Sequence, residues 1–207
     1  MRELMMANDL TGIRAALEKN PMLANEGVSC FDDNPAKAHP LHRICDGVHN
    51  GLYTDEDGIE MAKIFLEYGA DINGVKMVEK RDTPLIAAAS LNAEKTGIFY
   101  ISRGADIFHP GTHGGTALHW AAWVGRDKLV KELIEKGAEI NRNCVDFKGA
   151  PLLWAVHGYK NASRENQVAC ARLLVAAGAD KTVTNFEGYT LVEFLDPGDT
   201  EMIAVIQ

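Results

Sequence analysis

The stretch Lys128-Leu129-Val130-Lys131-Glu132-Leu133-Ile134-Glu135-Lys136-Gly137-Ala138-Glu139 contains both a helix and its ending. Leu129, Val130, Leu133 and Ile134 fall at i, i+1, i+4 and i+5, which makes one apolar helical face. Lys136 puts a cation in the last turn, where the helix dipole favours it. Gly137 suits the position after the helix, because glycine takes the left-handed conformation without steric cost. The ending recurs as Gly69-Ala70-Asp71, Gly104-Ala105-Asp106 and Gly178-Ala179-Asp180, giving intervals of 35, 33 and 41 residues. A near-constant period of this length marks a stack of similar units, each burying its apolar face against the next.

A second motif precedes each of these helices. It reads His39-Pro40-Leu41-His42, Thr83-Pro84-Leu85-Ile86, Thr116-Ala117-Leu118-His119, Ala150-Pro151-Leu152-Leu153 and Thr190-Leu191-Val192-Glu193. Proline is tolerated in a first helical turn, where its missing N–H has no intrahelical partner to lose. The third position is apolar throughout. Small residues follow, as in Ala87-Ala88-Ala89 and Ala121-Ala122.

The run Gly115-Thr116-Ala117-Leu118-His119-Trp120-Ala121-Ala122-Trp123-Val124-Gly125, continuing to Gly137-Ala138-Glu139-Ile140-Asn141, resembles the ankyrin-repeat family. The resemblance implies an all-α solenoid of helix-turn-helix repeats with β-turn fingers, covering residues 1–207 as a single domain. Residues 1–25 read as an N-terminal capping pair. Four fuller repeats follow at about 38–73, 82–108, 115–141 and 149–182, then a partial unit at 188–207 with Thr200 as the cap of its last helix. The resemblance also gives His42 and His119 a structural role, each ring bridging a Thr hydroxyl and the backbone of the next repeat.

Composition narrows the function. The formal net charge is -8, from 21 basic and 29 acidic side chains. No Lys/Arg stripe appears, so nucleic-acid binding is not expected. No apolar run approaches the ~20 residues that span a membrane, and the N-terminus lacks a signal-type apolar region. Cytoplasmic residence is the expectation, with export lacking an N-terminal signal as the alternative. Cys30, Cys45, Cys144 and Cys170 are widely spaced and read as reduced packing residues.

Departures from the repeat pattern are the individual part of the chain. Residues 46–60 form an acidic insertion with five carboxylates and no Lys or Arg. Thr54 and Asp57 within it resemble a capping box, and the spacing around Asp55 does not fit a calcium loop. A second insertion spans 157–166. The connection 26–38 is also long.

His39-x2-His42-x2-Cys45 has ligand-like spacing, but Pro40 places His39 at the helix edge and no fourth ligand is evident. No nucleophile elbow or phosphate-cradling glycine loop occurs, so the chain reads as a non-enzyme with no cofactor and no metal. A metal-dependent or catalytic site around His39, His42 and Cys45 is the alternative.

A solenoid's usual product is a surface. Aligning the repeats puts Asp46, Ser90, Leu91, Trp123, Val124 and His157 just past the inner-helix alanines, on the concave side, and Tyr159 is a further contact candidate. The fingers add Met77, Lys80 and Arg81; Thr112 and His113; Phe147; and Phe186 and Tyr189. Trp123 is the main hot-spot candidate, whereas Trp120 and Trp154 follow the motif's fourth position and read as packing residues. The expected function is a protein-protein interaction module, adaptor or inhibitor, binding a partner through these residues, with the acidic insertion steering a basic patch. The chain is expected to be a monomer. Self-association through Met202-Ile203-Ala204-Val205-Ile206 is a further alternative.

Overall fold

The computed structural model describes residues 1–29, 36–74, 82–159 and 163–207. The chain folds as two compact units, Met1–Asp106 and Ile107–Gln207.

In the first unit, α1 (Arg2–Met6) and α2 (Leu10–Lys19) form the N-terminal pair. The Asp9 carboxylate accepts from Gly12 N at 2.8 Å and so caps α2. A 3₁₀ turn, Pro21–Asn25, ends the pair. The long connection contains two short strands, β1 (Val28–Ser29) and β2 (Lys37–Ala38), paired antiparallel with Val28 opposite Ala38. Two helix pairs follow: α3 (Pro40–His49) with α4 (Asp55–Glu67), and α5 (Pro84–Ser90) with α6 (Glu94–Ser102). Leu41, Ile44, Met61, Phe65, Leu85, Ala88 and Tyr100 are fully buried between them. The small residues at 87–89 leave room for α3 to lie against α5.

The acidic insertion is mostly helix. α3 runs on to His49 and α4 starts at Asp55, which leaves residues 50–54 as the connection. Thr54 and Asp57 form the capping box, with Asp57 N donating to Thr54 Oγ1 at 3.1 Å and Thr54 N to the Asp57 carboxylate at 3.0 Å. Asp55 caps the neighbouring α6, accepting from Thr96 N at 2.9 Å and Lys95 N at 2.6 Å. Glu56 pairs with Lys95, Glu60 with Lys63 and Asp46 with Arg43. All five carboxylates therefore have intramolecular partners, cationic for Asp46, Glu56 and Glu60 and neutral N–H or hydroxyl groups for Asp55 and Asp57.

In the second unit, α7 (Ala117–Val124) pairs with α8 (Asp127–Glu135), and α9 (Pro151–Gly158) with α10 (Arg164–Ala176). A 3₁₀ turn, Leu191–Phe194, and α11 (Thr200–Ile206) complete it. The cap of α11 is Asp199, one residue before the expected Thr200. Asp199 is buried, accepting from Asp196 N at 2.9 Å and from Arg164 at 3.1 Å. Met202 and Ile206 of the apolar C-terminal run are buried, and α11 packs on α10. This covers much of the face that self-association required.

The recurring Gly-Ala-acid has two physical causes. Gly69, Gly104, Gly137 and Gly178 adopt φ of 82°, 87°, 85° and 93° with open space around each, so conformation alone demands glycine there. The backbone at the acidic position is held from the preceding unit: Asn25, Asn73 and Asn141 accept from the N–H of Asp71, Asp106 and Asp180 at 2.7–2.9 Å. Asn25 and Asn141 also donate to the carbonyls of Gly69 and Gly178. One asparagine amide thus satisfies both donor and acceptor of the next repeat's helix ending.

Among the described residues, no helix is long and apolar enough to cross a membrane.

Candidate functional site: an aromatic groove

The second unit contains a groove of about 390 Å³ walled by aromatic rings. Its placement follows from helical spacing. Trp120 and Trp123 lie three residues apart on α7, and Trp154 and His157 three apart on α9, so each pair shares one helix face. α7 and α9 pack against each other. Trp154 therefore meets Trp120 at 5.1 Å between centroids and Trp123 at 5.7 Å, with planes at 78° and 72°. Edge-to-face contact is the favoured geometry for such rings. It also gives an account of the indole N–H groups of Trp120 and Trp154, which are buried without a hydrogen-bond partner among the described residues. An edge-on indole can direct its N–H at a neighbouring π face.

Trp154 is the inner wall, 3% exposed. His119 holds it from behind, ring edge to face at 5.4 Å. The His119 ring is fixed in turn: its Nδ1 accepts from Thr116 N at 3.1 Å, and Nε2 donates to the Arg142 carbonyl at 3.0 Å. These contacts define a neutral imidazole, and burial pushes its pKa down from 6.5 to about 4. The Thr-x-x-His motif thus does what the family resemblance implied for His119, and it also positions the wall of the groove.

Three fingers complete the site. His113 sits at φ 62°, and its carbonyl accepts from Val145 N at 2.9 Å, which ties one finger to the next. His113 Nδ1 donates to the Asp146 carboxylate at 2.8 Å, and its ring stacks 5.1 Å from Phe147. The third finger is closed by Asn185 N donating to the Tyr189 carbonyl at 3.0 Å. Its Asn185 side chain accepts from Glu187 N and Tyr189 N, at 2.9 Å each, and so presents Phe186 and Glu187 to the groove. Phe194 closes the far side against His157 at 5.3 Å. Burial lowers the His157 pKa below its ordinary value. Phe186 is 62% exposed and Phe147 40%, an open apolar display that a folded chain does not need for itself.

The groove gathers five of the expected contact residues: His113, Trp123, Phe147, His157 and Phe186. Tyr189 is exposed beside it, 6.2 Å from Phe194, and Thr112 is exposed on the His113 finger. Val124 is half-buried at the end of α7 outside the lining. Tyr159 is a correction. Its ring is 4% exposed with the Arg164 guanidinium 5.2 Å above it, because α9 ends at Gly158 and turns the next side chain inward. In the first unit, Ser90 and Leu91 are half-buried at the end of α5, the Ser90 hydroxyl donating to Ala87 O at 3.3 Å. Asp46 lines a separate small groove with Met6, Arg43 and Tyr53. Met77, Lys80, Arg81 and Cys30 lie outside the described residues.

Sequence reasoning misses Trp120, Trp154 and Phe194 as groove walls. The motif position of Trp120 and Trp154 predicts packing; both pack, and both also face the groove. The three-residue offsets to Trp123 and His157 are the signal that could have found them.

The His39, His42 and Cys45 trio does not converge as a ligand set. His39 Nε2 bonds Asn25 at 3.1 Å while its Nδ1 accepts from Leu41 N at 3.3 Å, capping α3. The Cys45 thiol is buried and donates to the carbonyls of Leu41 and Pro84. The described cysteines are free and buried. Among the described residues, no group of three metal-ligating side chains is placed to hold an ion.

Helix pairs joined by turn fingers, with an aromatic groove on the inner helices, define a helical repeat protein of the binding type. Residues 52–144 match the family model for ankyrin repeats in three copies. Residues 52–144 are thus ankyrin repeats, and the chain as a whole has the ankyrin-repeat fold. An ankyrin repeat domain from Acinetobacter baumannii superposes with a TM-score of 0.73 at 22% identity, over 99% of this chain and 94% of that one. The chain is also 33% identical over 122 residues to the palmitoyltransferase ZDHHC13 of Mus musculus, covering 55% of this chain and 18% of that protein. It is 30% identical over 92 residues to the palmitoyltransferase Hip14 of Drosophila melanogaster, covering 44% and 13%. The chain spans less than a fifth of the length of these curated relatives.

Proposed function

We propose that this chain is a non-catalytic adaptor or inhibitor module that holds a partner polypeptide in the aromatic groove of residues 107–207. Ankyrin repeats mediate binding to other proteins, and a preformed apolar groove with exposed Phe147 and Phe186 at its rim supports that use here. Trp123 is the anchor. It is half-buried and lies between Trp154 and His157. In this reading residues 1–207 act as one repeat domain and the chain works as a monomer in the cytoplasm. The palmitoyltransferase relatives do not extend the proposal to acyl transfer, because the match covers so little of them.

The test is selection of phage-displayed peptides on the wild-type protein, followed by fluorescence titration. The three tryptophans of the chain all line the groove, so intrinsic emission reports on this site alone. Selected peptides should shift that emission and lose at least tenfold in affinity on Trp123→Ala. Peptides that bind Trp123→Ala as tightly as wild type overturn the assignment.

A further inference from the structure

We propose that the groove takes a trimethylated lysine of the partner polypeptide, with the aromatic walls and Glu187 supplying the recognition. This rests on the protein-binding reading and names the chemistry of the residue bound.

Three observations carry it. The walls are π systems set near right angles, at 72° between Trp123 and Trp154 and 74° between His157 and Phe194. Phe147 and Phe186 are the rings exposed at the rim, and a ring face is the negative part of an aromatic quadrupole. Second, among the described residues Glu187 is the one carboxylate in the lining, Asp146 stands behind the His113 ring at 2.8 Å, and no lining side chain is Lys or Arg. A cation is therefore attracted and an anion repelled. Third, acceptors are scarce. The Asn185 side-chain oxygen already receives two backbone N–H groups and the Asn185 amide donates to Glu187 Oε2 at 3.4 Å, which leaves the second Glu187 oxygen and one imidazole nitrogen each of His113 and His157 as the side-chain acceptors of the lining.

Scarcity of acceptors selects among cations. A guanidinium brings five N–H donors and an ammonium three, and donors buried without partners oppose binding. A trimethylammonium has no N–H at all. It presents a methylated, weakly hydrated cation that suits ring walls and a single counter-charge. The volume exceeds one such head, so the lysine stem and a neighbouring side chain also fit. That room, and the phosphate a choline lipid would bring against Glu187, favour a polypeptide over a phosphocholine headgroup.

The experiment titrates the full chain with Gly-Gly-Lys-Gly-Gly in three forms, read by tryptophan emission and calorimetry. The forms are trimethylated lysine, unmodified lysine, and the neutral isostere with carbon in place of the ammonium nitrogen. Free phosphocholine is the fourth arm. The trimethylated peptide should bind at least tenfold tighter than the other three. Glu187→Gln should weaken it severalfold and leave the isostere unchanged, with an unaltered melting profile. Equal affinity for the isostere overturns the proposal while leaving the protein-binding reading intact. So does tighter binding of phosphocholine, of unmodified lysine, or no binding by the trimethylated form. Loss of the Trp123 dependence in the phage experiment instead removes the underlying reading.

Discussion

The Trp123 ring lies over the His157 imidazole, centroids 5.0 Å apart and planes 31° from parallel, although the two residues come from different repeats. Each sits at the end of its inner helix, three residues after a tryptophan on the same helix. The pair separates surface from core. Trp123→Ala is expected to cost about 1–2 kcal/mol, since a half-buried ring contributes less than a buried one. Trp154→Ala, which removes the buried wall, should cost about 3–5 kcal/mol. Urea melts followed by circular dichroism check this; equal costs would place Trp123 in the core.

Stability should fall in mild acid. Burial lowers the pKa of both His39 and His119 from 6.5 to about 4. The unfolded chain takes up protons near pH 6.5 that the folded imidazoles refuse until about pH 4. The stabilisation is complete above pH 6.5 and is lost progressively as pH falls towards 4, on the order of 3 kcal/mol per group. Unfolding free energies at pH 7 and pH 5 should show the loss, and His119→Gln should make the slope shallower. A flat profile between pH 6.5 and 5 contradicts it.

Two glycines should respond differently to substitution. A Cβ at Gly158 would run into the Trp123 carbonyl oxygen, a backbone atom that also accepts from Gln167. Gly158→Ala is therefore expected to cost about 2–3 kcal/mol through steric displacement and to disturb the groove. Gly137 has open space but φ of 85°, so Gly137→Ala should cost about 1–2 kcal/mol from conformation alone. Asparagine, which tolerates the left-handed region, should recover part of the loss at 137 and none at 158 in denaturant titrations.

Among the acidic residues of the 46–60 segment, Asp55 matters most for stability. It caps α6 through two backbone N–H groups and the Thr96 hydroxyl. Asp55→Ala should cost about 1–2 kcal/mol. Glu60 makes only a surface pair with Lys63, and Glu60→Ala should change stability by less than about 0.5 kcal/mol. Thermal melts at low and high salt distinguish them, the Asp55 effect persisting in salt.

The scaffold is legible in the sequence because glycine, proline, threonine and asparagine mark backbone states that few residues share. Gly137 closes α8 and Pro151 opens α9, as the repeat pattern predicts. Position on the repeat likewise brings Trp123, His157 and Phe147 to one groove. What stays hidden depends on partners distant in sequence or on inserted chain. Tyr159 occupies an insertion, where no period sets its direction, and Arg164 covers it. Motif position assigns Trp154 to packing alone, yet a ring large enough to fill a core can also show an edge or face to a cavity. The acidic segment looks unsatisfied because Lys63, Arg43 and Lys95, its cationic partners, lie outside it.

Asn141 reaches from its own finger to the helix ending at Gly178 and Asp180. The side chain is encoded in one repeat and its partners in the next, so neither repeat completes its hydrogen bonding alone. Neighbouring repeats therefore have a reason to melt together, and an array cut between them leaves an orphaned end on the second piece. Folding information in this part of the chain is written across the joints, which ties the integrity of the groove to residues that never touch its occupant.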